Sequence, residues 1–231
     1  MKATVIIFDW DDTLIDIGPQ LCQSQHAAIM AYSDPNLFPF LASWAIPDYD
    51  AIQHHIGQRF VETILPALFP LLDPHDSEQA AWITAVNCDF RTRYKARPKA
   101  LFPGVASSLQ ALHEAGFLLA IATNKSRDLF TAEYDAIASS LPPFSHIVCG
   151  DDEVVNGNYK PQPDMINWIQ EQYPSHTQFV MVGDRISDMT AAQRSNRPTK
   201  TVFVHPDTPA VDTSLCLHSV QALSPSLIKQ L

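Results

Sequence analysis

Three short stretches of this chain concentrate the residue types that carry protons, attack electrophiles and hold ions. They are Asp9-Trp10-Asp11-Asp12-Thr13, Thr123-Asn124-Lys125 and Gly183-Asp184-Arg185-Ile186-Ser187-Asp188. Each follows a short apolar run. Carboxylates act as nucleophiles, as general acids and bases when their pKa is suitably placed, and as oxygen ligands for hard cations. Polar residues end strands in most proteins, so one such stretch would mean little. Three of them, each behind an apolar run, imply that one edge of a sheet gathers carboxylates, a hydroxyl and helix N-termini.

The elements that must position these residues are legible. Five runs read as strands buried on both faces: 3–8 (ATVIIF), 117–123 (FLLAIAT), 146–149 (HIVC), 179–182 (FVMV) and 201–204 (TVFV). Near-continuous apolar character over four to seven residues is the pattern of parallel strands covered by helices. Helical patterns alternate with the later runs. Val105, Leu109 and Leu112 recur at helical spacing, and Gly116 stands where a cap glycine should. Ser126 is placed to cap a helix carrying Leu129, Phe130, Tyr134 and Ile137. A further helix carries Met165, Ile166 and Ile169, and Ser187 is placed to cap one through Met189, Ala191 and Ala192. This alternation predicts an α/β fold, a doubly wound parallel sheet with ligands at the carboxyl ends of its strands.

About 100 residues separate the first strand from the second, where a crossover needs a dozen or so plus a helix. Residues 17–97 are therefore read as an insert, mostly helical, with helices over 22–32, 50–68 and 77–95. Residues 1–16 and 98–231 form the core. Gly18-Pro19 and Pro98 mark the hinges.

The motifs resemble those of the phosphatases in the haloacid dehalogenase-like superfamily. The resemblance rests on an apolar strand followed by DxDxT (FDWDDTL, Phe8 to Leu14), a strand ending in Thr123, a lysine in the run Lys160-Pro161-Gln162-Pro163-Asp164, and GDxxxD from Gly183 to Asp188. All four occur in that order, with the insert between the first and second. The place and helical content of the insert resemble the small-cap branch that includes phosphoglycolate phosphatases, β-phosphoglucomutases and nucleotidases.

The resemblance implies a Rossmann-like core with a small helical cap, and a set of roles. Asp9 would be the nucleophile. Asp11 would be the general acid and base, and Thr123 and Lys160 would bind the transferring phosphoryl group and steady Asp9. Mg²⁺ would be held by Asp9, the Asp11 carbonyl and Asp184, with Asp188 as a further ligand or an anchor. Thr13, Asn124 and Lys125 would contact substrate. Ile56-Gly57-Gln58-Arg59 looks like the cap turn of that branch, which makes Arg59 a candidate for the substrate's non-reacting end. Phosphate esters resist anionic attack, so a carboxylate nucleophile with charge neutralisation is chemically apt. The implied reaction is hydrolysis of a small phosphorylated metabolite. Alternatives are a phosphomutase built on the same core and a silent binding module.

This sequence departs from the family pattern at three places. Asp12 stands where glycine is usual, which the fold would tolerate if the backbone there stays in an ordinary region. Asn196 stands near a helix end where glycine is usual, and asparagine is the next residue suited to a left-handed cap. The stretch from about Pro206 matches nothing, and Leu217 to Leu231 reads as a loop and a packing helix.

Composition narrows the setting. The 231 residues carry a formal charge of −10, which disfavours a nucleic-acid partner. No run approaches the roughly 20 apolar residues that span a bilayer, and the apolar N-terminal run stops at Asp9, so a cytoplasmic protein without a membrane partner is expected. Cys22, Cys88, Cys149 and Cys216 are far apart and are read as buried, reduced thiols. Arg91, Arg93, Lys95, Arg97 and Lys99 fall together with no acid among them, either as a solvated face or as a local field for anions. Oligomeric state is left open.

Overall fold

The apolar runs become the strands of one parallel sheet. The computed structural model describes residues 4–55, 58–175, 178–204 and 213–231. Its strands are β1 (Thr4–Phe8), β2 (Leu118–Thr123), β3 (His146–Cys149), β4 (Gln178–Gly183), β5 (Thr199–Val204) and β6 (Leu215–Leu217). They lie in the order β3-β2-β1-β4-β5-β6, with every pair parallel. That is the doubly wound, Rossmann-like order, and it reverses direction at β1. Alternation is visible along each strand. Val5, Ile7, Ala120, Ala122, Phe179, Met181 and Phe203 share one buried cluster with helical Met165, Ile166, Ile169, Met189 and Ala192. Ile6, Phe8, Leu119, Ile121, Val180 and Val202, at the intervening positions, are buried as well.

The chain divides into two compact units, Met1–Asp16 with Lys99–Leu231, and Ile17–Pro98. The second unit is helical: α1 (Gly18–Ala31), α2 (Tyr49–Gln53), α3 (Leu65–Leu68) and α4 (Ser77–Lys95). Asp48 caps α2 by accepting from the Ala51 N–H at 2.8 Å, and Asp76 caps α4 by accepting from Glu78 and Gln79. The single helix expected over 50–68 is not formed. α2 stops at Gln53, and a π-helical turn over Phe60–Ile64 leads into α3. Pro66 lies in the first turn of α3, where its missing N–H has no helical partner to lose. The unit's core is aromatic. Trp82 is fully buried, donates its indole N–H to the Tyr32 carbonyl at 3.0 Å, and meets Phe40 and Phe69 edge-on. Within the basic run, Arg93 pairs with Asp89 at 2.6 Å and Arg97 donates to Gln23.

In the first unit the helices are α5 (Val105–Glu114), α6 (Arg127–Ile137), α7 (Asp164–Glu171), α8 (Ile186–Gln193) and α9 (Pro225–Ile228). α5 ends as its sequence predicts. Gly116 takes φ +86°, the Phe117 N–H reaches the Leu112 carbonyl, and the Gly116 N–H reaches that of His113. This pair of bonds is a Schellman closure.

Four expectations are corrected here. Leu215–Leu217 adds a sixth strand, pairing Val202 with Leu215 and Val204 with Leu217. Three residues are too few to show a period in sequence, and the preceding residues 205–212 lie outside the described ones. Cys88 and Cys216 are exposed free thiols, while Cys22 and Cys149 are buried. Among the described residues the non-glycine positions with positive φ are Asp12 and Asn156, so Asn196 does not form the left-handed cap assigned to it. It anchors instead through its backbone N–H, 2.7 Å from Asn167 Oδ1. Finally, α8 begins at Ile186, and Arg185, not Ser187, occupies its cap position.

Trp82→Ala removes the largest side chain of the helical unit's core and orphans the Tyr32 carbonyl. It should lower that unit's stability by about 3–5 kcal/mol, read as a shift of the urea midpoint by tryptophan-independent far-UV dichroism.

Candidate active site

Every chemically promising stretch leaves the sheet at the carboxyl end of a strand. β1 delivers Asp9, whose N–H still bonds to the Val182 carbonyl of β4 at 2.9 Å. β2 delivers Thr123 and the loop Asn124-Lys125, and β4 delivers Gly183 and Asp184, with Asp188 in the first turn of α8. Because β1 lies between β2 and β4, these three ends are neighbours. The four residues Asp9, Thr123, Asp184 and Asp188 are all buried.

Lys160 arrives from the loop between β3 and α7 and is 3% exposed. Its ammonium lies 2.7 Å from Asp9 Oδ1 and 2.6 Å from Asp188 Oδ1, which ties the end of β1 to the start of α8. Burial alone would lower the lysine's pKa, but Asp188 and Asp9 together reverse that and raise it. The ammonium is thus a fixed charge. Its backbone is clasped in turn: Lys160 N–H donates to Asn124 Oδ1 and Asn124 Nδ2 donates to the Lys160 carbonyl, both at 2.9 Å. Asn124, expected at the substrate, is placed as the clasp on Lys160.

Asp9, Asp184 and Asp188 each bring one carboxylate oxygen within 4.8 Å of the others. Burial pushes Asp184 well above its ordinary value, helped by Asp9 and Asp188 and opposed by Arg185 and the Thr13 hydrogen bond. Burial likewise takes Asp188 up to about 6, against the pull of Lys160. Three crowded, buried, oxygen-donor carboxylates that resist sharing negative charge are a donor set suited to a hard divalent cation. Thr13 donates its hydroxyl to Asp184 Oδ1 at 2.7 Å, so this expected substrate contact orients a carboxylate of the cluster. Asp188 also accepts from the Arg185 N–H at 3.0 Å, the capping bond that starts α8. Gly183 makes this possible, since a Cβ there would stand 2.4 Å from Asp188 Oδ2 and 2.6 Å from its Cβ.

Asp11 faces a different cation. The Lys125 ammonium lies 2.5 Å from Asp11 Oδ1 and 2.7 Å from Glu133 Oε1. Lys125, also expected at the substrate, stands between two carboxylates, and its N–H bonds to Thr123 Oγ1 at 3.2 Å. Burial takes Asp11 up to about 7; Lys125 pulls the other way, while Glu133 and Asp9 add to the rise. A carboxyl in that range can both give and take a proton near neutrality.

Asp12 departs from expectation. Its φ is +56°, in the left-handed region where glycine is easiest. Asp is among the non-glycine residues that adopt it most readily. The added charge is met by Arg185, with Nη2 3.2 Å from Asp12 Oδ2 and Nε 3.6 Å from Asp184 Oδ2. Arg185, Glu133 and Trp10 were not singled out from the sequence. Arg185 stood in plain view inside GDxxxD, whereas nothing local marks Glu133. Arg59 belongs to the helical unit, where it pairs with Glu62 at 2.6 Å, and Ile56 and Gly57 of its turn lie outside the described residues.

Gly183→Ala should displace Asp188 and weaken whatever divalent-cation binding the three carboxylates provide by about 10–100-fold, measured by titration calorimetry. Unchanged affinity would separate Asp188 from the cation site.

Comparison with known proteins agrees with this geometry. Residues 3–196 match the family model described as haloacid dehalogenase-like hydrolase. The chain is similar to a phosphoglycolate phosphatase of Agrobacterium fabrum, 29% identical over 99% of this chain and 94% of that protein. It is also similar to one of Vibrio cholerae, 30% identical over 84% and 82%. The crystal structure of CbbY from Rhodobacter sphaeroides shares the fold with a TM-score of 0.70, at 19% identity and full coverage of both chains (100% and 100%).

Proposed function

The chain belongs to the haloacid dehalogenase-like hydrolases, and from that premise we propose that it is a Mg²⁺-dependent phosphatase of a small phosphate monoester, acting through an aspartyl phosphate on Asp9. The observation that carries this reading is the pair of cation-held carboxylates two residues apart. Asp9 is fixed by Lys160, while Asp11, beside Lys125, is raised to about 7. One is equipped to attack and the other to move a proton.

The steps follow from those positions. The Asp9 carboxylate attacks phosphorus, and the bond from phosphorus to the ester oxygen breaks as Asp11 gives that oxygen its proton. Asp11, now a carboxylate, takes a proton from the water that attacks the acyl phosphate, releasing inorganic phosphate and restoring Asp9. Lys160 opposes the charge on Asp9 throughout, and the Thr123 hydroxyl holds the transferring group. When bound at Asp9, Asp184 and the Asp11 carbonyl, with Asp188 as ligand or anchor, Mg²⁺ supplies neutralisation of the phosphoryl charge. The clustered oxygens of Asp9, Asp184 and Asp188 support that assignment.

The proposed substrate class is supported by the two relatives described above, which are named phosphoglycolate phosphatases. A small metabolite such as phosphoglycolate, a sugar phosphate or a nucleotide is the ligand proposed, with Arg59 contacting its non-reacting end. No helix of the described residues is long and apolar enough to cross a membrane, and the free thiols suit a cytoplasmic setting.

The test is turnover of an aryl phosphate and a metabolite panel with and without Mg²⁺. Chelation should abolish release of phosphate, and Asp9→Asn should lower kcat by on the order of 10³ or more. Metal-independent turnover, or activity kept by Asp9→Asn, would overturn the mechanism. Isomerisation of a sugar phosphate without net release would make the protein a mutase, and no turnover at all would make it a binding module. Arg59→Ala should raise KM for the preferred substrate with little change in kcat; an unchanged KM and substrate profile would remove Arg59 from the site.

A further inference from the structure

Glu133 is a carboxylate on the apolar face of α6. It is 1% exposed and stands beside buried Leu129 and Phe130. Both its oxygens lie 2.7 Å from the Lys125 ammonium. Oε2 also accepts the indole N–H of Trp10 at 2.8 Å. Trp10 is fully buried and packs edge-on to Phe130, with ring centroids 4.9 Å apart. The contacts form a closed ring: Asp11 to Lys125, Lys125 to Glu133, Glu133 to Trp10, and Trp10 by its peptide bond back to Asp11. Within it the side chains of Lys125 and Glu133 are 3% and 2% exposed, and that of Asp11 is 18% exposed. The carboxylate that must meet a leaving group is the one at the open side.

We propose that Glu133 and Trp10 are positioning residues for proton transfer, holding Lys125 against Asp11 so that the Asp11 carboxyl keeps its aim. The inference rests on the reading of Asp11 as the proton carrier. A lysine ammonium on its flexible stem has three donors and little geometric preference. A partner that engages it through both oxygens, and is itself anchored to a rigid ring, turns that loose charge into a fixed one. A purely structural ion pair would need neither the indole bond nor the return to Asp11, and a buried pair adds little to stability over apolar residues of the same size.

Glutamine cannot replace this glutamate. Its amide NH₂ would point either at the ammonium or at both the ammonium and the indole N–H, so each orientation sets donor against donor. Trp10→Phe keeps an aromatic ring against Phe130 and leaves every charge in place, while removing the indole N–H together with some buried ring volume.

The experiment uses the full chain with Mg²⁺ and two esters, 2,4-dinitrophenyl phosphate and an alkyl phosphate. Dinitrophenolate leaves without a proton, whereas an alkoxide needs one. In a two-step reaction kcat/KM reports transfer to Asp9, and kcat on the activated ester reports release from it. General acid–base catalysis contributes roughly 10²–10⁴-fold, so Glu133→Gln should lower kcat/KM on the alkyl ester by about 10–100-fold. On dinitrophenyl phosphate kcat and KM should fall together and leave kcat/KM within about 3-fold, because only the water step then needs Asp11. Trp10→Phe should show the same split in smaller measure, and it decides the matter if Glu133→Gln does not fold. Asp11→Asn should show it in full. Equal loss on both esters, or no loss on either, would overturn the positioning role while leaving the phosphatase reading intact. A wild-type protein without phosphatase turnover would overturn both.

Discussion

The buried ammonium of Lys160 is the contact on which the rest of the site depends. Carboxylates from the end of β1 and from the first turn of α8 approach each other in a region closed to water, where like charges repel strongly. Lys160 lies within 2.7 Å of both. Its position is set by reciprocal amide bonds to Asn124, just past the end of β2, so one residue from a loop between β3 and α7 joins two strand ends and the start of α8. A parallel sheet brings such ends side by side. It does not by itself hold four acids together, and the lysine supplies what the topology lacks.

The same rule is repeated at each acid of the site. Asp11 has Lys125, and Asp12 has Arg185, which also approaches Asp184. A chain with ten more acids than bases thus keeps basic side chains beside the acids that crowd at this site. Asp12 shows the cost and the compensation together. Its left-handed backbone is the conformation in which glycine is easiest, and the aspartate that takes it is held from across the site by an arginine at the head of α8. Asp184 and Asp188 still lie high in pKa despite these partners. The unbalanced negative charge left at the site is what makes a divalent cation chemically fitting there.

Much of this was readable from residues alone. β-branched runs gave away their strands because burial on both faces leaves no polar alternation to hide them. Asp9, Asp11, Thr123 and Asp184 stood at the ends of those runs, and the sheet brought them to one edge. Lys160 could be named from its KPxPD context and matched to Asp9 by the family resemblance, but its second partner, Asp188, was not foreseen. Partners inside the protein were not legible at this level. Asn124, Thr13 and Lys125 read as substrate contacts because they are polar residues at a site. Each is also held by another side chain or backbone group, Lys160, Asp184 and Glu133 in turn, which lie 36, 171 and 8 residues away. The left-handed turn at Asp12, the uncapped Asn196 and the three-residue strand β6 failed for a related reason: their conformations are imposed by neighbours rather than by local preference.

The sequence by itself determined the layered α/β architecture and the family to which the chain belongs. Those follow from apolar periodicity, segment length and short motifs, all local properties of the chain. Only the tertiary structure decided which charge faces which. It seats Lys160 between Asp9 and Asp188, gives Arg185 to Asp12, and links Asp11 through Lys125 to a glutamate on α6. Charge pairing in a buried site depends on distances of a few ångströms between elements far apart in sequence, and no spacing along the chain encodes them.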